Sequence, residues 1–276
     1  MRFSVERKPL LAALNAASGV TAGRTTLPIL KCVRMSAIGS MVSVTATDLD
    51  QIVSSQIASE VGVEGLAIVS LDGFLAWCGT VKGGIVEVSA DDATVALRCG
   101  TSTVTVLRVP DDEWPEWGGG IIEDRDIDPA PTLDALAALA PAQSNKEARY
   151  YLNGIALRDG GLIATNGHTL HAAKLDLGGD VILPRQGVAL MMKALAGRPE
   201  KARFGHTETM WRLTLPRLTL TGKLVDGTFP DTSRIKVSSD TPEIRFIAED
   251  AEDALKIVTA GARRGTPVRL RAADGK

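Results

Sequence analysis

The only two tyrosines of this chain are adjacent and follow an arginine, in Arg149-Tyr150-Tyr151-Leu152-Asn153-Gly154. A guanidinium beside phenol rings suits phosphate contact and stacking. If the run begins a strand, Tyr150 and Tyr151 point to opposite faces, and at most one of them is core. A tyrosine at a sheet edge with its hydroxyl satisfied is the plainer alternative. His168 and His171 stand in Ala164-Thr-Asn-Gly-His-Thr-Leu-His171, which reads as strand, Asn-Gly turn and strand. On a strand the two rings face opposite ways, and His206 falls in another strand region, so no metal site is expected. No Gly-x-Ser-x-Gly elbow occurs, and no cysteine has a plausible base. The glycine-rich pieces (Gly118–Gly120, Gly160-Gly161 and Gly178-Gly179) lack the lysine and spacing of a phosphate loop. These readings predict a protein without catalytic residues or cofactor.

Two further segments offer binding chemistry. Lys223-Leu-Val-Asp-Gly-Thr-Phe-Pro-Asp231 ends a strand, turns, and continues through Ile235. Phe229, Pro230 and Ile235 there offer apolar surface beside the cationic Arg234, a combination that suits a groove for an extended peptide or a plain interdomain linker. Ala22-Gly23-Arg24 follows the first helix, with a glycine in cap position and then an arginine.

The elements that position these residues repeat. Amphipathic stretches begin near Lys8, Leu71, Thr132, Arg185 and Ala251, at intervals of roughly sixty residues. Between them run short alternating strands, predicted at Val42–Asp48, Val86–Ala90, Thr94–Cys99, Thr103–Arg108, Gly161–Thr165, Arg212–Leu215 and Leu218–Lys223. A repeated helix-plus-strands unit predicts an α+β fold, with sheet on one side and helices on the other. It suits a scaffold or ring better than a pocketed enzyme. The Pro- and Gly-rich stretch from Val109 to Gly120, with the acidic run after it, separates residues 1–118 from 129–237. A weaker break near Lys236–Pro242 sets off residues 242–276. That last segment holds an expected strand at Glu243–Ile247, a helix from Ala251 and a strand at Pro267–Arg271. It closes on the turn dipeptide Asp274-Gly275, with no returning strand.

Of the 276 residues, 31 are basic and 33 acidic, giving a net charge of −2. Any contact with DNA therefore requires an uneven distribution of charge rather than a basic bulk. No apolar run reaches membrane-spanning length and the start lacks a signal core, so a soluble, cytoplasmic protein without membrane contact is expected. Cys32, Cys78 and Cys99 are odd in number, widely spaced and in apolar company, which predicts buried free thiols.

Seven blocks carry a resemblance: VERKPLLAAL, AGRTTLPIL, ATDLD, RYYLNGI, ATNGHTLH, ILPRQGV and KLVDGTFPD. In this order and with matching gaps, they resemble the bacterial sliding clamp, the β subunit of replicative DNA polymerase III, from residue 5 to about 235. The resemblance implies a non-catalytic processivity factor: six similar domains ring duplex DNA, helices on the inner face and antiparallel sheets outside. It implies Gly23, Arg24, Arg149, Tyr150, Tyr151 and Arg185 as DNA-facing residues. It also implies a peptide pocket for the replicative polymerase catalytic subunit, the clamp loader and other clamp-motif proteins. That pocket would draw on Leu152, Thr165, Gly167, His168, Leu170, Pro230, Arg234 and Ile235. In the family two three-domain subunits close the ring as a homodimer.

Three departures qualify the expectation. The third domain is expected to be truncated. Asp72 stands where the family commonly places a DNA-facing arginine. The edge strand Thr101–Val106 carries threonines where the head-to-tail interface often uses basic side chains. A ring of three two-domain subunits would also supply six domains. The alternative function is a clamp-like interaction module that binds clamp-motif peptides without encircling DNA.

Overall fold

The computed structural model describes residues 1–21, 25–117, 122–232, 235, 246–263 and 266–269. Residues Met1–Phe229 form one compact unit and Pro230–Lys276 a second. The first half of the large unit runs β1 (Arg2–Glu6), α1 (Arg7–Ala17), β2 (Cys32–Ile38), β3 (Met41–Thr47), β4 (Gln51–Val63), β5 (Gly65–Ser70), α2 (Leu71–Thr80), β6 (Ile85–Ala90), β7 (Thr94–Cys99) and β8 (Ser102–Leu107). The second half runs β9 (Arg125–Ile127), α3 (Pro129–Leu139), β10 (Gly154–Arg158), β11 (Gly161–Thr165), β12 (Leu170–Ala173), β13 (Val181–Pro184), α4 (Arg185–Leu195), β14 (Ala202–His206), β15 (Met210–Leu215) and β16 (Leu218–Lys223). The second unit contributes α5 (Ala248–Ala260). Helices therefore begin close to all five positions that the periodicity marks.

Each helix of the large unit buries one stripe. In α1 the buried positions are Leu10, Ala13, Leu14 and Ala17; in α4 they are Gly187, Val188, Met191 and Leu195. Helix α3 starts sharply because Asp128 Oδ1 accepts from Ala130 N at 3.2 Å, with Pro129 in the first turn. Helices α1 and α2 pack on each other, as do α3 and α4, and the antiparallel strands cover their buried faces.

One sheet passes from the first half to the second in the order β8-β7-β6-β1-β4-β16-β15-β14-β9, while β12-β11-β10-β13 form another. The seam is β4, whose 13 residues pair with β3 and β16 early and with β1 late. Strand β8 is the outer edge of the large sheet, so the threonine-bearing strand does stand at an edge.

The three thiols are free and buried, as their apolar surroundings predict. Burial raises the Cys32 and Cys78 pKa above the ordinary thiol value, which leaves little reactive thiolate at neutral pH. The native protein should therefore resist a thiol-titrating disulfide reagent and release three equivalents only in denaturant. Rapid titration of any thiol in native buffer would contradict this packing.

Two expected elements differ. Tyr150 and Tyr151 do not begin a strand: Glu147–Leu152 winds into a 3-10 turn, and β10 starts only at Gly154. In the last segment, residues 246–247 and 267–269 carry no regular structure, and the rest of the strands expected there lies outside the described residues. Helix α5 is amphipathic, with Ile257 76% and Val258 58% exposed within its own unit. No helix among the described residues is long and apolar enough to cross a membrane.

Candidate nucleic-acid and peptide interfaces

The Arg149-Tyr150-Tyr151 turn is held by backbone and amide bonds. Asn153 N donates to the Tyr150 carbonyl at 2.9 Å, and Ser144 N donates to the Leu152 carbonyl at 3.0 Å. Asn153 Nδ2 reaches back to the Lys146 carbonyl at 3.3 Å. These bonds close the segment on itself, which is why two good strand-formers sit in a turn. The chain then needs glycine at 154: a Cβ there would lie 2.0 Å from the Leu183 carbonyl oxygen of β13.

The same knot fixes Arg185. Its backbone N donates to the Asn153 carbonyl at 2.9 Å, and its Nη1 lies 3.5 Å from the Ser144 carbonyl. Lys146, Arg149, Tyr150 and Arg185 are all exposed around this corner. The tyrosine rings meet edge to face at 5.8 Å, so they share one side rather than opposing faces. Lys146 escaped the sequence reading; its signal was a second cation three residues before Arg149.

The blocks of the sequence converge here. Arg149 Nη1 lies 3.0 Å from where a Cβ on Gly167 would stand, so its guanidinium reaches the loop at Gly167. Gly167 has φ +87°, and Thr165, Asn166 and Thr169 close the loop with their own hydrogen bonds. It is a four-residue connection between β11 and β12, not a two-residue Asn-Gly turn. His168 projects from this loop and not from a strand, and is exposed. His171 on β12 is anchored by Nδ1 to the Ala138 carbonyl of α3 at 2.7 Å.

Gly227 packs on both tyrosines, at 3.1 Å from Tyr151 Cβ and 3.4 Å from the Tyr150 ring, measured from a Cβ placed on it. Phe229, 3% exposed, forms a small apolar cluster with Leu152, Ala156 and Ile182. Leu152 is therefore a buried support, whereas Thr165 and Leu170 are half-buried and Gly167 is open. Pro230 and Ile235 belong to the second unit and are exposed there. Gly23, Arg24 and Arg234 lie outside the described residues.

The exposed helix positions of the large unit are mostly small or uncharged. Helix α1 shows Lys8, Ala12 and Asn15; α4 shows Arg185, Gln186, Ala189 and Lys193. Asp72 occupies the first turn of α2, exposed, and Asp134 is exposed on α3. Such a face offers a polyanion isolated phosphate contacts and no continuous basic stripe. No group of three potential metal ligands occurs among the described residues.

Comparison with known proteins bears on this arrangement. Residues 1–117 match the family model of the DNA polymerase III beta subunit N-terminal domain, and residues 129–231 match that of its central domain. The beta sliding clamp of Vibrio cholerae is 29% identical, over 98% of this chain and 78% of its own length. That of Escherichia coli K12 is 30% identical, over 85% and 68%. Among solved structures, the sliding clamp of Bartonella birtlesii bound to griselimycin superposes with a TM-score of 0.88 at 26% identity, covering 96% of this chain and 75% of that one. The DNA polymerase III subunit beta of Pseudomonas aeruginosa gives 0.80 at 26%, covering 87% and 69%. With two family models spanning most of its length, this chain belongs to the β subunit family of DNA polymerase III, the bacterial sliding clamps.

Proposed function

We propose that the helical side of this protein receives duplex DNA and that Arg149, Tyr150 and Arg185 are its principal phosphate contacts, with Gly23 and Arg24 on the same path. The observation that carries this reading is the shared backbone knot through Ser144 and Asn153, which brings the exposed Arg149, Tyr150 and Arg185 to one corner. The sparse charge of the helices suits a clamp: contacts stay weak enough to slide, and retention comes from topology rather than affinity. Residues 1–118 and 129–237 each act as one clamp domain, and 242–276 belong to a third. The partners are duplex DNA, the replicative polymerase catalytic subunit, the clamp loader, other clamp-motif proteins and a second copy closing a ring, all in the cytoplasm. Thr165, Gly167, His168 and Leu170 contribute a surface that takes clamp-motif peptides, with Leu152 supporting it from below, and Pro230, Arg234 and Ile235 are the peptide-contacting candidates of the second unit.

The test is duplex binding at low salt, followed by fluorescence anisotropy of a labelled oligonucleotide. Arg149→Ala should weaken binding several-fold and reduce the slope of log K against log salt by about 1, with an unchanged melting temperature. Tyr150→Ala should weaken binding without changing the slope. Wild-type affinity in both variants would remove the corner from the DNA path. Retention on nicked circular DNA that is lost on linearisation would establish encirclement. Binding of clamp-motif peptides without such retention would instead identify an interaction module.

A further inference from the structure

The two halves of the large unit repeat one strand plan. Strands β5-β2-β3-β4 of the first half match β13-β10-β11-β12 of the second, and β8-β7-β6-β1 match β16-β15-β14-β9. Register carries the match to single residues. Thr47 pairs with Ile52 and Val44 with Ser55; Thr165 pairs with Leu170 and Leu162 with Ala173. The loops between these strands agree too: Thr47 Oγ1 donates to the Gln51 carbonyl at 2.8 Å, and Thr165 Oγ1 to the Thr169 carbonyl at 2.7 Å. Residues 52–55 of β4 are therefore the counterparts of 170–173, the whole of β12. Helix α1 packs on β4, and α3 packs on β12. In the other set Thr94 pairs with Leu107 and Cys99 with Ser102, while Met210 pairs with Lys223 and Leu215 with Leu218. Residues 102–107 of β8 are the counterparts of 218–223, the whole of β16.

Within the chain, β4 and β16 join the two halves. Ile52 faces Thr221, Val53 faces Leu220, Ser54 faces Thr219 and Ser55 faces Leu218. The inward pair of this seam is sealed, with Val53 1% and Leu220 2% exposed. Strands β8 and β12 are the counterparts that the seam leaves over, and among the described residues both stand at sheet edges. Their inward residues, Val104 and His171, are only half-buried, and Leu107 at the end of β8 is 79% exposed. Neither strand carries a lysine, an acid or a proline, the residues that ordinarily guard a free edge.

We propose that each of these edges takes the other one on a second copy of this chain: β8 adds antiparallel to β12, in the register of the seam. Thr105 then faces Leu170, Val104 faces His171, Thr103 faces Ala172 and Ser102 faces Ala173. The pairing satisfies the unpaired backbone groups of both strands and closes Val104 and His171 over each other on the inward side. The contact is heterologous, since a copy gives β8 to one neighbour and β12 to another. It supplies the joint between copies of the ring proposed above and rests on that reading.

The experiment is disulfide trapping of the full chain in solution, without DNA. Ser54→Cys with Thr219→Cys lies at the seam and should close within one chain, which sets the reference for this geometry. Thr103→Cys and Ala172→Cys, carried by separate copies and mixed, should give a covalent dimer holding one of each. Thr103, Thr105 and Ala172 are exposed, so these changes disturb no packing. Thr105→Cys mixed with Ala172→Cys is two residues out of register and should cross-link at least about tenfold less, because diagonal neighbours stand roughly 7–8 Å apart. The paired changes Thr103→Lys and Thr105→Lys, which place charge on the edge, should weaken self-association by light scattering at least several-fold. No mixed dimer at the highest soluble concentration overturns the proposal. So does a cross-link formed by Thr103→Cys or Thr105→Cys alone and as strong as the mixed one, which would make the contact a β8–β8 pair. Retention on nicked circular DNA without the mixed cross-link would keep the clamp reading and strike this contact; the mixed cross-link without retention would keep the contact and strike encirclement.

Discussion

Replacing Trp211 by alanine should lower folding stability by about 3–5 kcal/mol, the cost of emptying a large aromatic site in a close-packed core. Trp211 is fully buried on β15, between helix α4 and strand β16. Both neighbours make room for it with glycine. A Cβ on Gly187 of α4 would lie 2.7 Å from the indole ring, and one on Gly222 of β16, directly across the antiparallel pair, would lie 2.7 Å from Nε1. The indole therefore sets how closely α4 approaches the sheet, and with it the position of Arg185 at the start of that helix. Gly187→Ala or Gly222→Ala should cost about 1–3 kcal/mol through overpacking. Trp211→Phe should cost clearly less than Trp211→Ala, because it keeps much of the volume and removes a buried N–H that has no partner among the described residues. Urea unfolding followed by circular dichroism measures all four. A loss below about 1 kcal/mol for Trp211→Ala would mean that the helix-to-sheet contact is not carried by this ring.

How much of this was legible beforehand depended on whether a residue's burial followed its own period. The helices were legible because stripes such as Leu10, Ala13, Leu14 and Ala17 repeat at helical spacing. Strands β7, β11 and β16 were legible because each alternates or is closed by turn residues. Strand β4 was not. Gln51 and Ser55 are buried at 5% and 6% exposure, so polar residues stand at inward positions and break the alternation. That burial follows from β4 serving as the seam between the two halves, a tertiary fact no local pattern carries. The candidate sites divide in the same way. The Arg-Tyr-Tyr and Thr-Asn-Gly-His blocks were visible as motifs, but their meeting through Arg149 and Gly167 required the fold. The Thr47 and Thr165 loops close with like hydrogen bonds from their threonine hydroxyls, a likeness hidden in the sequence because Leu49 and Gly167, though unlike as side chains, adopt the same left-handed backbone. Leu49 bears a steric cost there that glycine avoids.

Asp124→Ala should cost about 2–3 kcal/mol, since it strips a nearly buried carboxylate from three donor contacts. Asp124 is 6% exposed in its side chain and takes Arg212 Nε on both oxygens, at 2.9 and 3.1 Å, and Thr214 Oγ1 at 2.8 Å. Arg212 also donates to the Ile122 carbonyl, and Arg203 Nη2 donates to the Asp124 carbonyl at 2.7 Å. These bonds pin the segment entering the second half onto β14 and β15, just before β9 joins the sheet edge. The close approach has a sequence mark: Gly205, where a Cβ would fall 2.3 Å from the Glu123 carbonyl oxygen. Arg212 is 29% exposed, so water screens part of its charge, and the expected loss stays below that of a fully buried pair. A double-mutant cycle with Arg212→Met separates the pair from the rest of the network and should give a coupling of at least about 1 kcal/mol. Additive single changes would show that the segment is held by its backbone bonds to β14 and by Gly205. An Asp124→Ala loss within about 0.5 kcal/mol would show that the carboxylate does not fasten the entry to the second half at all.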